Sequence, residues 1–160
     1  MDLSGADLRD TYLRYADLRY AELRYAELTN ADLGYADLRY AELTNAELRN
    51  ADLTDANLSY ASLNGSYLRN ADLTDANLSY ASLRYADLHD ADFYGADLSN
   101  ADLTGAYLYF TTLSYADLTG ADLTGADVSN AYRAGVYWND TTCPDGTNSD
   151  DNGNTCDNNL

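Results

Sequence analysis

From Leu3 to Val128 an apolar residue returns every fifth position, and a small residue, usually Ala, stands two places before it. Of the 26 central positions in that stretch, 24 are Leu and the others are Phe93 and Val128. A period of five suits neither an α-helix, in which these side chains would drift around the axis, nor a flat strand, in which they would alternate faces. The pattern predicts instead a short extended piece in which Ala and Leu point inward together, followed by a corner in every pentapeptide.

Residues 48–63 and 68–83 have the same sequence, LRNADLTDANLSYASL, and Tyr15–Leu23 reappears as Tyr35–Leu43. Both repeats lie at an offset of 20 residues, so four pentapeptides make one turn of a square coil. Each residue then stacks on the one 20 positions later, at the spacing of adjacent strands, roughly 4.8 Å. Leu33, Leu53, Leu73 and Phe93 are expected in one core column.

The Ala-(Asp/Asn)-Leu-X-X motif over residues 1–130 resembles the pentapeptide-repeat family. That resemblance implies an all-β fold, a right-handed quadrilateral parallel β-helix or solenoid, with about 6.5 coils over this stretch. Residues 131–160 are expected to form a separate cap and loop, because Arg133 takes a Leu position and the pattern from Ala134 to Trp138 reads as a restart three residues late. Val136, Tyr137 and Trp138 are the expected plug over the last coil, since an open solenoid end leaves Leu side chains and strand edges bare. At the other end, Leu3, Leu8 and Leu13 have no polar cap before them in this sequence, and self-association through this N-terminal face is the corresponding expectation.

The outward positions carry whatever recognition the chain has. Stacking by 20 places Tyr20, Tyr40, Tyr60 and Tyr80 in one column, Asn30, Asn50 and Asn70 in another, and Asp32, Asp52, Asp72 and Asp92 in a third. Aromatic and amide ladders stabilise stacked strands. Exposed Tyr also offers contact area at low entropic cost, so the Tyr column is a candidate interaction stripe. The acidic column requires local compensation, which Asp side chains find in backbone amides near turns.

The chain is strongly acidic, with 27 Asp and Glu against nine Arg, no Lys and a formal net charge of −18. Nucleic acid is therefore excluded as a partner, and no apolar run is long enough to span a membrane. Arg133 is the only Arg after Arg84, so the C-terminal half is the acidic end. The charge per unit length approaches that of duplex DNA, and the family resemblance includes acidic rods that imitate DNA to protect gyrase. A non-enzymatic structural or protein-interaction rod is the first reading, and a DNA mimic acting on an enzyme such as gyrase is the alternative.

Cys143 and Cys156, the only cysteines, bound an Asn-, Asp- and Gly-rich loop, which points to a disulfide and to a periplasmic or extracellular location. Asn148, Asp150, Asn152 and Gly153 have the alternating spacing of a calcium loop, but Asn159 stands where a bidentate Glu is needed, so a turn cluster is the preferred reading and no cofactor is expected. The single histidine, His89, sits outward beside acids, between Arg69 and Tyr109 in its column. With no activated nucleophile, no phosphate-cradling loop and no expected concavity, the sequence gives no support to catalysis.

Overall fold

Every pentapeptide bends at the same place. The amides of the Ala-row residues, Thr11 excepted, donate to the carbonyl of the Leu-row residue three positions earlier, as in Ala6 N to Leu3 O at 3.0 Å and Ala51 N to Leu48 O at 3.1 Å. The second residue of each corner has positive φ, from Gly5 through Asp140 without exception. A 4→1 bond with positive φ at the third residue only is the signature of a type II turn, and it explains why Gly, Asn and Asp are frequent there. Tyr and Phe110 occupy the same conformation, which L side chains rarely adopt.

A computed structural model describes residues 1–156. Between corners the chain is extended for too short a distance to form long strands, and it pairs instead through parallel bridges at an offset of 20, from Asp2↔Glu22 to Asp122↔Thr142. These bridges stack into four ladders, one on each side of a square. The rungs Asp2, Glu22, Glu42, Ser62, Ser82, Asp102, Asp122 and Thr142 form one unbroken side. Hydrogen bonds run both ways between coils, as in Leu33 N to Asp52 O at 2.7 Å and Asp52 N to Ala31 O at 3.0 Å, so each bridge ties one coil to the next.

The interior is a column of Leu over Leu and Ala over Ala. Leu33, Leu53, Leu73 and Phe93 are each 0% exposed, in the shared column that the period predicts. Ser66, Thr111 and Thr11 fit the Ala row because each hydroxyl donates to the Leu-row carbonyl three residues earlier, at 2.6, 2.7 and 2.6 Å respectively. Among the described residues no buried side-chain nitrogen or oxygen lacks a partner. Leu3, Leu8 and Leu13 are only partly buried.

The expected slip of register after residue 130 does not occur. Val128, Arg133, Trp138 and Cys143 follow one another in the Leu row, Ala131, Val136 and Thr141 in the Ala row, and the bridges Thr112↔Tyr132 and Asp117↔Tyr137 continue the coil. The backbone keeps its turn even where the inward residue is no longer Leu. Arg133 is accommodated by turning its guanidinium to the Val128 carbonyl at 3.1 Å.

The plug is correspondingly different. Trp138 is 5% exposed and Val136 packs against the core, but Tyr137 is 62% exposed because the residue between two inward ones must point out. Closure comes from the chain doubling back: Thr142 pairs antiparallel with Asn148, and a 3-10 helix, Ser149–Asn152, follows. The buried Ser149 hydroxyl donates to the Trp138 carbonyl at 2.5 Å and accepts from the Thr141 amide at 3.0 Å. Cys143 and Cys156 are bonded and fully buried, which ties this segment to the last coil.

Candidate functional site

With the interior filled, the chemistry available to a partner lies in the outward columns. Tyr20, Tyr40, Tyr60 and Tyr80 form a continuous stack with ring centroids 5.0, 5.0 and 4.9 Å apart and planes within 10° of parallel. Each ring is between 44 and 66% exposed, so the stack is a flat aromatic edge along one corner. On another corner Asn50 donates to Asn30 at 3.1 Å, and Asn30 donates to Asp10 at 2.8 Å.

The acidic column is compensated in two ways. The Asp52, Asp72 and Asp92 carboxylates each accept the amide two residues later at 2.9 Å, and Asp32 accepts that of Gly34 at 3.2 Å. Arg14 also lies across Gly34 and reaches both Asp32 at 3.2 Å and Asp52 at 3.3 Å. A Cβ on Gly34 would stand 2.4 Å from Arg14 Nη1, so the absence of a side chain there makes this path possible. No arginine reaches Asp72 or Asp92 among the described residues.

The remaining repeat arginines follow two patterns. Arg9, Arg19, Arg24, Arg69 and Arg84 pair with an acid of the next coil, as in Arg69 to Asp87 at 2.6 Å, whereas Arg39 and Arg49 pair only within their own repeat. Arg9 and Arg19 also bond Asp7 and Asp17 within their own repeats, and these side-chain hydrogen bonds are the main cause that holds the Asp7 and Asp17 carboxyls down at about 2. In the C-terminal half the carboxylates of Asp92, Asp97, Asp117, Asp122 and Asp127 have no arginine partner among the described residues, so the negative field is concentrated there.

In the terminal loop the side chains of Asn148 and Asp150 serve the cap. Asn148 accepts from the Asp150 amide at 2.8 Å and donates to Asp140 at 2.9 Å, and Asp150 accepts from the Asp140 amide at 2.8 Å. No group of three or more His, Cys, Asp or Glu side chains that could hold a metal ion converges among the described residues. The Asn152 side chain and Asn159 lie outside what the structure describes.

One feature overturns the expectation of uniformly convex faces. An open cleft of about 670 Å³ lies on the side of the rod that carries Asp87. Tyr67 and Tyr107 stand in the bridge column above and below Asp87, Tyr85 leans over Gly105 on one corner, and His89 stacks on Tyr109 at 5.1 Å on the other. Sequence reasoning had no local signal for it, since its walls come from three columns.

The comparisons with known proteins agree with this geometry. Residues 2–34, 31–70, 71–108 and 101–132 match the model for pentapeptide repeats. Among solved structures the chain is similar to HetL, a pentapeptide repeat protein involved in heterocyst differentiation regulation in Nostoc sp. strain PCC 7120, at 32% identity over 92% of this chain and 86% of that one, with a TM-score of 0.42. It is also similar to a pentapeptide repeat protein of the Arabidopsis thaliana thylakoid lumen, at 33% identity over 66% of this chain and 73% of that one, with a TM-score of 0.59. No curated protein matches. The five-residue turn, the 20-residue ladder and the matched repeats give one conclusion: the chain belongs to the pentapeptide-repeat family.

Proposed function

We propose that this chain is a non-enzymatic, right-handed solenoid rod that binds a protein partner through its outward aromatic columns, in an oxidising compartment outside the cytoplasm. The observation that supports this most is the Tyr20–Tyr40–Tyr60–Tyr80 stack, which is both exposed and fixed in place by its neighbours. A partner that binds it pays little ordering entropy, because the rings already stand in register. The buried Cys143–Cys156 bond supports the compartment, since reducing cytosol keeps such thiols apart.

A filled core and the lack, among the described residues, of an activated acid, base or nucleophile favour binding over catalysis. The DNA-mimic reading draws on the unpaired carboxylates of the C-terminal half and predicts a different surface from the Tyr stack. Capture from an extract of the native source separates the two: a Tyr40→Ser/Tyr60→Ser variant should lose a partner that the unaltered rod retains. Equal retention by both proteins, together with competition against DNA for gyrase, would favour the mimic.

A further inference from the structure

Around the cleft at Asp87 the outward bridge column departs from its acidic pattern. Its bridge column reads Asp7, Glu27, Glu47, Tyr67, Asp87, Tyr107, Asp127, so aromatic rings interrupt the acids only along this stretch of it. Tyr67 and Tyr107 are two coils apart, roughly 9.6 Å at strand spacing. Asp87 lies between them in the column, and Tyr85 and Tyr109 line the cleft from the two adjacent corners. The cleft is open to solvent, which suits a chain lying across it better than a small molecule enclosed by it.

Charge narrows the occupant. Asp127 and the overall charge of −18 oppose an anion. Arg69 opposes a cation, because its guanidinium already fills the strongest acidic position by bonding Asp87 at 2.6 Å. A neutral ligand remains. In the Asp87–Arg69 pair the second carboxylate oxygen accepts a long bond from the His89 amide at 3.5 Å, and the Arg69 Nη groups make no hydrogen bond among the described residues. Adjacent acceptor and donor groups match neighbouring hydroxyls, and aromatic faces match the C–H face of a saturated ring.

We propose that this cleft binds a neutral polysaccharide or glycan chain, with Tyr107 and the face of Tyr67 turned away from Arg49 as stacking platforms and Asp87 and Arg69 as hydroxyl-binding groups. The site is on a different side of the rod from the Tyr20–Tyr80 stack, so it goes beyond the protein-binding function and does not depend on it.

Native affinity electrophoresis tests the proposal, with soluble starch, hydroxyethylcellulose, laminarin and galactomannan each cast into the gel and polygalacturonate as the charged control. At least one neutral polymer should slow the unaltered protein, and Tyr67→Leu/Tyr107→Leu should lose at least ten-fold in apparent affinity while melting as a folded rod. Tyr40→Ser/Tyr60→Ser should be slowed like the unaltered protein. Soluble hexasaccharides of the same sugars should compete if free chains suffice, and failure to compete would assign the site to longer polymers. Retardation in none of the neutral gels, or equal retardation of the Tyr67→Leu/Tyr107→Leu variant, would overturn the proposal. If both variants lose binding through unfolding, Arg69→Gln, which keeps the column and removes the donor fork, must weaken retardation for the proposal to stand.

Discussion

Tyr60 stacks on Tyr80 with ring centroids 4.9 Å apart and planes 2° apart, although both residues stand at positive φ, 61° and 59°. The left-handed conformation costs an L residue on the order of 1 kcal/mol, and a stacked aromatic pair returns an amount of the same order. The ladder therefore offsets strain that the corner imposes. Tyr60→Ala should lose the stack and keep the strain, whereas Tyr60→Gly loses both. The Gly variant is expected to be more stable than the Ala variant by about 1 kcal/mol. Urea melts of the two proteins check this, and an Ala variant at least as stable as the Gly variant would contradict it.

The glycines of one corner column should respond unequally to a methyl group. Gly105 and Gly125 have nearly the same φ, 67° and 68°, but a Cβ at Gly105 would stand 2.5 Å from Tyr85 Cε1, while one at Gly125 would meet nothing within 4 Å. Gly105→Ala should therefore lower the melting temperature more than Gly125→Ala. Adding Tyr85→Ser should bring the two back together, because only the backbone strain would remain. Equal melting temperatures for the single variants would refute the lean of Tyr85 over Gly105.

Core stacking makes the strongest demand on stability. Leu53 is 0% exposed between Leu33 and Leu73, so Leu53→Ala should cost about 2–5 kcal/mol through lost transfer energy and the cavity left behind. Leu53→Asp should unfold several coils, since it buries a charge where each coil depends on its neighbours. Thermal melts followed by circular dichroism measure both, and an unchanged Leu53→Asp melt is incompatible with an inward-facing Leu53.

Acid should act on the N-terminal coils in a defined window. Asp7 and Asp17 have folded values of about 2, below the usual 3.9 or so of an unfolded Asp. Depressed carboxylates contribute stability that is present above the unfolded value and is lost as pH falls toward the folded one. The melting temperature of the unaltered chain should therefore decline between about pH 4 and pH 2 by more than that of Asp7→Asn/Asp17→Asn. Parallel declines would show that these two carboxylates are not held by Arg9 and Arg19 in solution.

The disulfide closes a loop with a sequence separation of 13, which in the chain-entropy model is worth about 3 kcal/mol. Reduction should loosen the segment that covers Trp138, seen as a red shift of the single Trp emission before the coils melt. A Trp138 spectrum indifferent to reduction would separate the bond from the cap.

Much of this architecture was readable from the residues because the physics repeats. Leu every fifth position forces the turn, and identities 20 apart force the stacking, so the Leu33–Phe93 column and the Tyr20–Tyr80 stack follow directly. The end of the coil departs from the sequence pattern because Arg133, Trp138 and Cys143 do not look like Leu, yet backbone pairing with the preceding coil holds them in the Leu row. Tyr137 follows from the same alternation once the register is kept. The cleft was invisible because Gly105 and Tyr85, or Tyr67 and Tyr107, have meaning only as neighbours across coils. Nothing in their local sequence distinguishes them from other outward positions.

The proposed role of the Tyr stack is tested most directly by site-specific photo-crosslinking in an extract of the native source. A benzophenone amino acid is placed at position 60, in the middle of the stack, and in a second protein at position 125, on a bare corner. The account predicts a discrete protein adduct from position 60 that is absent from position 125 and is suppressed by excess unaltered rod. No adduct at position 60, or the same adducts from both positions, would contradict it.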